Sequence, residues 1–392
     1  MQIIFFGADA SWKALQIKGF RRRNTCLLRA FSGHSEVRKL VIVTPTTREN
    51  AFRETSWWRM LLGLSRNDKV VDVPVFAFIP GQSWIPAIAS LNRFLARWLI
   101  RRALSGSNRT NTVQWCYWPA GYQLARQIGL KGPLIFDADH NIIDDINLEP
   151  QARRETESLL DDCGRRCSLI ISGARSMTRW FEKRGFRQHA LLRNGVDPTR
   201  FQRLSKAEAA VEAIPYPRIA YVGTLSSWVD YKLLAKLAQK RLDWNFLIVG
   251  ESYKINSLND FQGIKNVIFL GPRAENQIPN FLRACDVGLS LYNVSHASWL
   301  DGDSMKIFEY LAAALPVVST PYHASLQPDF AGLLEICEGV DEFEQAILKL
   351  LDQSEEQVAD WNKRREQFLK ANTWEIRANE AVALIQETCF DK

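Results

Sequence analysis

Several features that would place a chain quickly are missing from these 392 residues. The seven cysteines include no C-x-x-C pair, and Cys163 and Cys167 stand one helical turn apart without a histidine or cysteine beside them. That excludes a recognisable zinc site and leaves the thiols as buried packing groups suited to a reducing cytoplasm. No window approaches the ~20 apolar residues of a membrane-spanning helix. Repeats and low-complexity tracts are absent, and no RRM, KH, zinc-finger or helix-turn-helix pattern occurs, which argues against nucleic acid as the partner. The opening MQIIFFGADASW has no basic lead and no small-residue cleavage site, so it reads as a first β-strand and not as a signal peptide.

What is present is the composition of a folded globular chain, 46% hydrophobic and 24% charged, with length for two or three domains. Charge is divided unevenly. Residues 1–200 hold 31 Lys+Arg against 17 Asp+Glu, whereas residues 201–392 hold 19 against 26. A basic first half is expected to face something anionic: a phospholipid surface, a lipid pyrophosphate or nucleic acid.

Strand-like runs alternate with helical patterns: QIIFF, LVIV, VQWCYW, PLIFD and SLIIS, then RIAYVG, NFLIVG, NVIFLG, DVGLSLY and PVVST. Such βα alternation predicts an α/β chain with two doubly wound parallel sheets. The turn sequence RNGVDPTRF and the polar stretch after it put the boundary between the halves near residues 200–217. Near the C-terminus, Trp374, Ala378, Ala381, Val382 and Ile385 recur at helical spacing, as expected of a final helix packed on another surface of the molecule.

Ligands of doubly wound sheets lie beyond the carboxyl ends of the strands. In the second half the loops VGTLSSWVD, LGPRAENQIP and YNVSHASWLDGDS occupy such places, and they contain Gly223, Thr224, Pro272, Arg273, Tyr292 and Asp301. The last one runs into a helix capped by Ser304 or Asp303, whose free N–H groups at Met305 and Lys306 would form an anion site. Lys306 adds a full positive charge. Glu309, one turn on, can accept two hydrogen bonds from a vicinal diol such as a ribose. The plainer alternative is an exposed i,i+3 ion pair between Lys306 and Glu309.

In the first half, FDADHNIIDD places Asp139 and His140 at a strand end, where either could act as a general base. His140 could instead brace its loop, and Asp144 and Asp145 read as solvated. The D-x-D formed by Asp137 and Asp139 is a weak metal signal. Residues 84–104 put Ile88, Leu91, Leu95, Trp98 and Leu99 on one helical face and Arg93, Arg97 and Arg101 opposite, while WWRMLLGL adds Trp57 and Trp58. Both suit insertion at an anionic bilayer surface; the alternative is a sheet-covering helix and a core loop. Arg21–Arg23 reads as a solvated face.

The segment D-G-D-S-M-K-I-F-E-Y-L-A-A-A-L-P-V-V-S-T resembles the donor-binding segment of GT-B glycosyltransferases, especially the family-4-like enzymes of bacterial polysaccharide synthesis. Asp301 and Glu309 keep that family's acidic pair with seven residues between, Asp replacing the usual Glu at the first position. RIAYVGTLSSWVDYKLL, NVIFLGPRAENQIPNFLRACDVGLSLY, LLRNGVDPTRF and IFDADHNIIDDINL match in order, together about half the chain. Thr224 and Val229 stand where the family commonly has Arg and Lys gripping the diphosphate. With Tyr292, this is similar to the xanthan-type glucuronosyltransferases.

The resemblance implies a GT-B fold, two Rossmann-like domains facing a cleft: residues 1–205 for the acceptor, 206–372 for the nucleotide-sugar donor, and a helix over 373–392 packing back towards the first domain. It implies transfer from a nucleotide-sugar, UDP-linked, to a polyprenyl-pyrophosphate-linked oligosaccharide, in exopolysaccharide or cell-surface polysaccharide synthesis. Hexosyl or glucuronosyl transfer, and retention or inversion, stay open. No cofactor or metal is expected, and the enzyme would be cytoplasmic, peripheral to the inner membrane. A two-domain nucleotide-sugar epimerase and a basic nucleic-acid-binding protein are the alternatives.

Overall fold

The computed structural model describes residues 1–45, 68–75, 86–104, 111–143, 149–202, 208–251, 260–294, 304–322 and 325–390. They form two compact units, Met1–Arg193 with Trp374–Lys392, and Asn194–Thr373.

The first unit runs β1 (Gln2–Phe6), α1 (Trp12–Lys18), α2 (Arg23–Gly33), β2 (Lys39–Pro45), β3 (Val70–Val75), α3 (Pro86–Ala103), β4 (Thr112–Tyr117), α4 (Trp118–Ile128), β5 (Leu134–Ala138), α5 (Pro150–Arg166), β6 (Leu169–Ser172), α6 (Arg175–Lys183) and β7 (His189–Leu191). Its strands pair in parallel in the order β3-β2-β1-β4-β5-β6-β7. Strands such as QIIFF are buried along their whole length because helices cover both faces of the sheet.

The second unit runs α7 (Thr199–Gln202), α8 (Ala209–Glu212), β8 (Arg218–Val222), α9 (Tyr231–Lys240), β9 (Asn245–Val249), β10 (Val267–Gly271), α10 (Ile278–Arg283), β11 (Val287–Ser290), α11 (Met305–Ala312), β12 (Val317–Ser319), β13 (Leu334–Ile336), α12 (Gly339–Leu351) and α13 (Glu355–Ala371). The sheet order is β10-β9-β8-β11-β12-β13, again parallel. Alternate residues of β8 enter different cores: Ala220 joins Leu247 and Phe308, while Ile219 and Tyr221 join Phe246 and Ile248.

In each sheet the strand order reverses once, between β1 and β4 and between β8 and β11, and those reversals open crevices at the carboxyl ends. All ten sequence-predicted strands are present. The three additional ones, β3, β7 and β13, lie on sheet edges, where strands are short or, like VVDVPV, hold a charge and a proline that a central position would not tolerate.

The division falls between Arg193 and Asn194, ahead of the 200–217 boundary expected from composition and the 205/206 boundary that the resemblance implies. Val196 and Phe201 belong to the core of the second unit, and Val196 bridges to Thr373, so the RNGVDPTRF turn is part of that unit and not a linker before it. The last helix, α14 (Trp374–Ile385), clusters with the first unit and packs against α2 through a face that buries Trp374, Ala378, Ala381, Val382 and Ile385. Six of the seven cysteines are buried and all are unbridged.

Candidate functional site

The crevice of the second unit is built around α11. Ser304 occupies its N-cap but makes no side-chain capping bond; its hydroxyl lies 3.3 Å from the phenol oxygen of Tyr292, which follows β11. The carbonyl end is held from α13, where Arg365 donates to Leu311 O at 2.9 Å. Ile307, Phe308, Tyr310 and Leu311 anchor the helix in the core, leaving Lys306 and Glu309 on its other side.

Lys306 and Glu309 turn to different partners rather than to each other. Lys306 Nζ donates to Tyr221 Oη at 3.1 Å and lies 4.3 Å from that ring and 5.0 Å from the ring of Tyr292. The Tyr221 hydroxyl in turn donates to Thr224 O at 3.4 Å. A methyl group on Gly223 would sit 3.1 Å from Lys306 Nζ, so the chain leaving β8 runs directly past the ammonium. Gly250, after β9, approaches so closely that a Cβ there would be 1.8 Å from Gly223 O. Burial among aromatic rings pushes the Lys306 ammonium down to about 7, with the Glu309 carboxylate pulling it back up.

Glu309 faces Arg200 of α7, with NH1 3.9 Å from Oε1. The same guanidinium NH1 is 2.8 Å from Glu275 Oε1 in the 3-10 turn Glu275–Gln277. Burial pushes the Glu309 carboxyl up to about 7; Arg200 opposes that rise, Glu275 adds to it and Lys306 lowers it. Neither Arg200 nor Glu275 was singled out from sequence, since each sits in a single-turn helix with no sequence pattern of its own and meets Glu309 only through the fold.

Gly223, Thr224, Tyr292, Ser304, Met305, Lys306 and Glu309 thus gather at the ends of β8 and β11 and the start of α11. The β10 loop is represented there by Glu275. Pro272 is exposed, and Arg273 is turned to Glu208 at 3.0 Å. Val229 is buried in the core and offers nothing to an anion. Asp301 lies outside the described residues.

A second cluster occupies the strand ends of the first unit. Arg23 is not on a solvated face: its side chain and that of Asp137 are both 0% exposed, with Nε 3.3 Å from Asp137 Oδ1 and 4.0 Å from Asp139 Oδ1. Only Arg21 and Arg22 of the basic triplet are exposed, because Arg23 opens α2 directly beneath the end of β5. Arg23 NH1 also donates to Arg193 O at 3.2 Å.

Asp139 Oδ2 accepts from Tyr117 Oη at 3.2 Å and lies 3.9 Å from His140 Nδ1. The His140 ring rests 4.6 Å from that of Trp118, whose φ of 64° turns the chain from β4 into α4. Gly173 allows the close approach, since a Cβ there would meet Asp139 O at 2.3 Å. Burial would raise the Asp139 carboxyl, but the hydrogen bond and charge of His140, with Arg23 and Tyr117, hold it below the usual range. Asp137 is pushed up to about 6 by burial, against the pull of Arg23. The two carboxylates of the D-x-D share an arginine. Among the described residues no group of three or more His, Cys, Asp or Glu is placed to hold a metal. Asp144 and Asp145 lie outside the described residues.

The α3 helix differs from its sequence reading. Its buried face is Asn92, Ala96, Leu99, Ile100 and Ala103, whereas Leu91, Phe94 and Trp98 are 43%, 61% and 40% exposed. The small residues Ala96 and Ala103 let the helix settle closely on the sheet, which rotates the larger side chains outward. Arg97 donates to Ile128 O, Arg93 to Ser90 Oγ at 2.8 Å, and Arg102 lies over the Trp98 ring at 5.5 Å. Arg101 is exposed in the last turn. Trp57 and Trp58 fall outside the described residues. No helix among the described residues is long and apolar enough to cross a membrane.

Comparison with known proteins bears on both units. Residues 216–353 match the family described as Glycosyl transferases group 1. A Bacillus subtilis (strain 168) protein named as a teichuronic acid biosynthesis glycosyltransferase, TuaH, is 26% identical over 160 residues, which is 40% of this chain and 40% of that one. HepE of Anabaena, solved with UDP and glucose, superposes with a TM-score of 0.66 at 14% identity, covering 99% of this chain and all of the other. Sucrose-phosphate synthase from Thermosynechococcus elongatus gives 0.64 at 15% identity over 98% of each. The chain therefore has the GT-B fold, and its second unit carries, in residues 216–353, the match to the group 1 glycosyl transferases.

Proposed function

We propose that this chain is a glycosyltransferase that moves a sugar from a UDP-sugar to a lipid-linked oligosaccharide in bacterial cell-surface polysaccharide synthesis. The observation that carries the reading is the placement of Lys306. One ammonium, desolvated between Tyr221 and Tyr292, stands where β8 and β11 part and where α11 begins. A diphosphate would bring negative charge to this buried ammonium, and the helix start would add its N–H groups. The group 1 match over residues 216–353, the likeness to the TuaH glycosyltransferase and the UDP complexes of HepE support the same donor class.

In glycosyl transfer the nucleoside diphosphate leaves with growing negative charge from an oxocarbenium-like centre. Lys306 would meet that charge within hydrogen-bond reach, and in a dry site such a fixed cation is worth far more than in water. No metal is required for this step. Glu309 would take the ribose diol, and Gly223 and Thr224 would line the diphosphate. In the first unit, His140 and Asp139 are the groups we assign to the acceptor hydroxyl. Asp139, held by Tyr117 and Arg23, would orient the imidazole from its Nδ1 side, and the ring would take the proton. The exposed Leu91, Phe94 and Trp98 with Arg101 and Arg102 would meet an anionic bilayer carrying the lipid-linked acceptor.

Isothermal titration with UDP tests the donor assignment. Lys306→Ala and Glu309→Ala are each expected to weaken binding tenfold or more, about 1.4 kcal/mol. Unchanged affinity in both variants would remove it.

A further inference from the structure

Arg200 is placed unusually for an arginine five residues after the turn glycine Gly195. It is mostly buried and faces two carboxylates, and it shares itself between them unequally. Glu275 takes the short contact, 2.8 Å to NH1, and its backbone oxygen accepts from NH2 at 3.4 Å. Glu309 stands off at 3.9 Å with 23% of its side chain exposed. The guanidinium is therefore clamped on the Glu275 side, which keeps it from closing on Glu309. Among the described residues, Glu309 receives the field of a cation without having its acceptor lone pairs occupied by one.

We propose that Arg200, held back by Glu275, is a positioning residue that keeps the Glu309 carboxylate available as a double hydrogen-bond acceptor, and that the three together select a ribonucleoside over its 2′-deoxy counterpart. The proposal rests on the reading that the second unit holds a nucleoside diphosphate sugar. A vicinal diol donates two O–H groups, and a charged carboxylate can take both. If Arg200 closed fully on Glu309 the diol would find its acceptors taken. If Arg200 were absent, burial would favour the protonated acid, which accepts poorly. Among the described residues, every charged or titratable group facing Glu309 has a place in this: Arg200 from α7, Glu275 from the 3-10 turn, and Lys306 and Tyr310 from its own helix.

The test is the ratio of dissociation constants for 2′-deoxy-UDP and UDP, measured by titration calorimetry from pH 6 to 9. The ratio cancels everything the two ligands share, including the phosphates and Lys306. In the wild type it is expected to rise through about pH 7 to roughly tenfold or more, the loss of one hydrogen bond to a charged group. Arg200→Met should move the midpoint of that rise upward by about one pH unit or more, and Arg200→Lys should bring it part of the way back. Glu275→Gln should move it downward, because it removes a like charge.

Opposite shifts in Arg200→Met and Glu275→Gln are the signature, which a general loss of structure would not produce. Equal midpoints in all forms, or shifts of the same sign, would overturn the proposal. A wild type that binds UDP and 2′-deoxy-UDP equally at every pH would overturn it while leaving the donor reading intact. A wild type that binds neither would remove the donor reading itself, and this inference with it.

Discussion

The pH dependence of donor binding follows from two side chains on one face of α11. Lys306 is pushed from 10.5 down to about 7, and Glu309 from 4.5 up to about 7, in both cases mainly by burial. A bound diphosphate needs the ammonium, and a bound diol needs the carboxylate. Each group is then about half in its binding form at pH 7, so about a quarter of the molecules carry both charges; at pH 6 or 8 the fraction is about a twelfth. Affinity for UDP-glucose, whose phosphates do not titrate in this range, should therefore peak near pH 7 and fall about threefold one unit to either side. The sign of each limb can be separated by substitution. In Lys306→Met only Glu309 remains, and affinity should rise about tenfold from pH 6 to 8; in Glu309→Gln only Lys306 remains, and it should fall by about the same factor. Calorimetry at three pH values suffices. A flat profile in the wild type and both variants, or slopes of the same sign in the two variants, would refute the placement of these charges against the ligand.

Four other outcomes are expected. Arg23→Met leaves Asp137 buried without its cation and should lower unfolding free energy by about 3–5 kcal/mol in urea titration, more than Arg22→Met on the exposed face. His140→Ala and Asp139→Asn should preserve UDP binding and reduce sugar transfer or donor hydrolysis at least a hundredfold, by the usual weight of general base catalysis (~10²–10⁴); unchanged turnover would take the acceptor hydroxyl away from them. Phe94→Glu with Trp98→Glu should abolish sedimentation with vesicles containing anionic phospholipid while leaving UDP binding unchanged, and persistent sedimentation would clear α3 of that role. Turnover should survive EDTA, and its loss with recovery on adding a divalent cation would contradict a metal-free departure of the diphosphate.

The central strands were readable because they are continuous apolar runs buried on both faces, as QIIFF and NFLIV are. The edges β3, β7 and β13 were not, since a strand with one free side needs less apolar sequence and is often interrupted, as Asp72 and Pro74 interrupt VVDVPV. In the candidate site, helix spacing was enough to put Lys306 and Glu309 on one face. Their partners came from elsewhere: Tyr221 from the middle of β8, Arg200 from the single-turn α7 and Glu275 from the loop after β10. Local pattern says nothing about such meetings. Arg23 is the sharpest instance. Within R-R-R it reads as solvated, and only the arrival of Asp137 on β5 makes its burial possible. The face of α3 was misread for a related reason: hydrophobicity favoured Leu91 and Trp98 as core, but close packing chose the small Ala96 and Ala103.

The most direct measurement is a crystal structure of the protein with bound UDP. The expected result is a diphosphate whose oxygens lie within ~3.5 Å of Lys306 Nζ and of the first backbone N–H groups of α11, with the ribose hydroxyls on Glu309. Phosphorus atoms lodged away from the ends of β8 and β11, with Lys306 still against Tyr221 and no ligand beside it, would contradict the assignment of this helix start as the donor site.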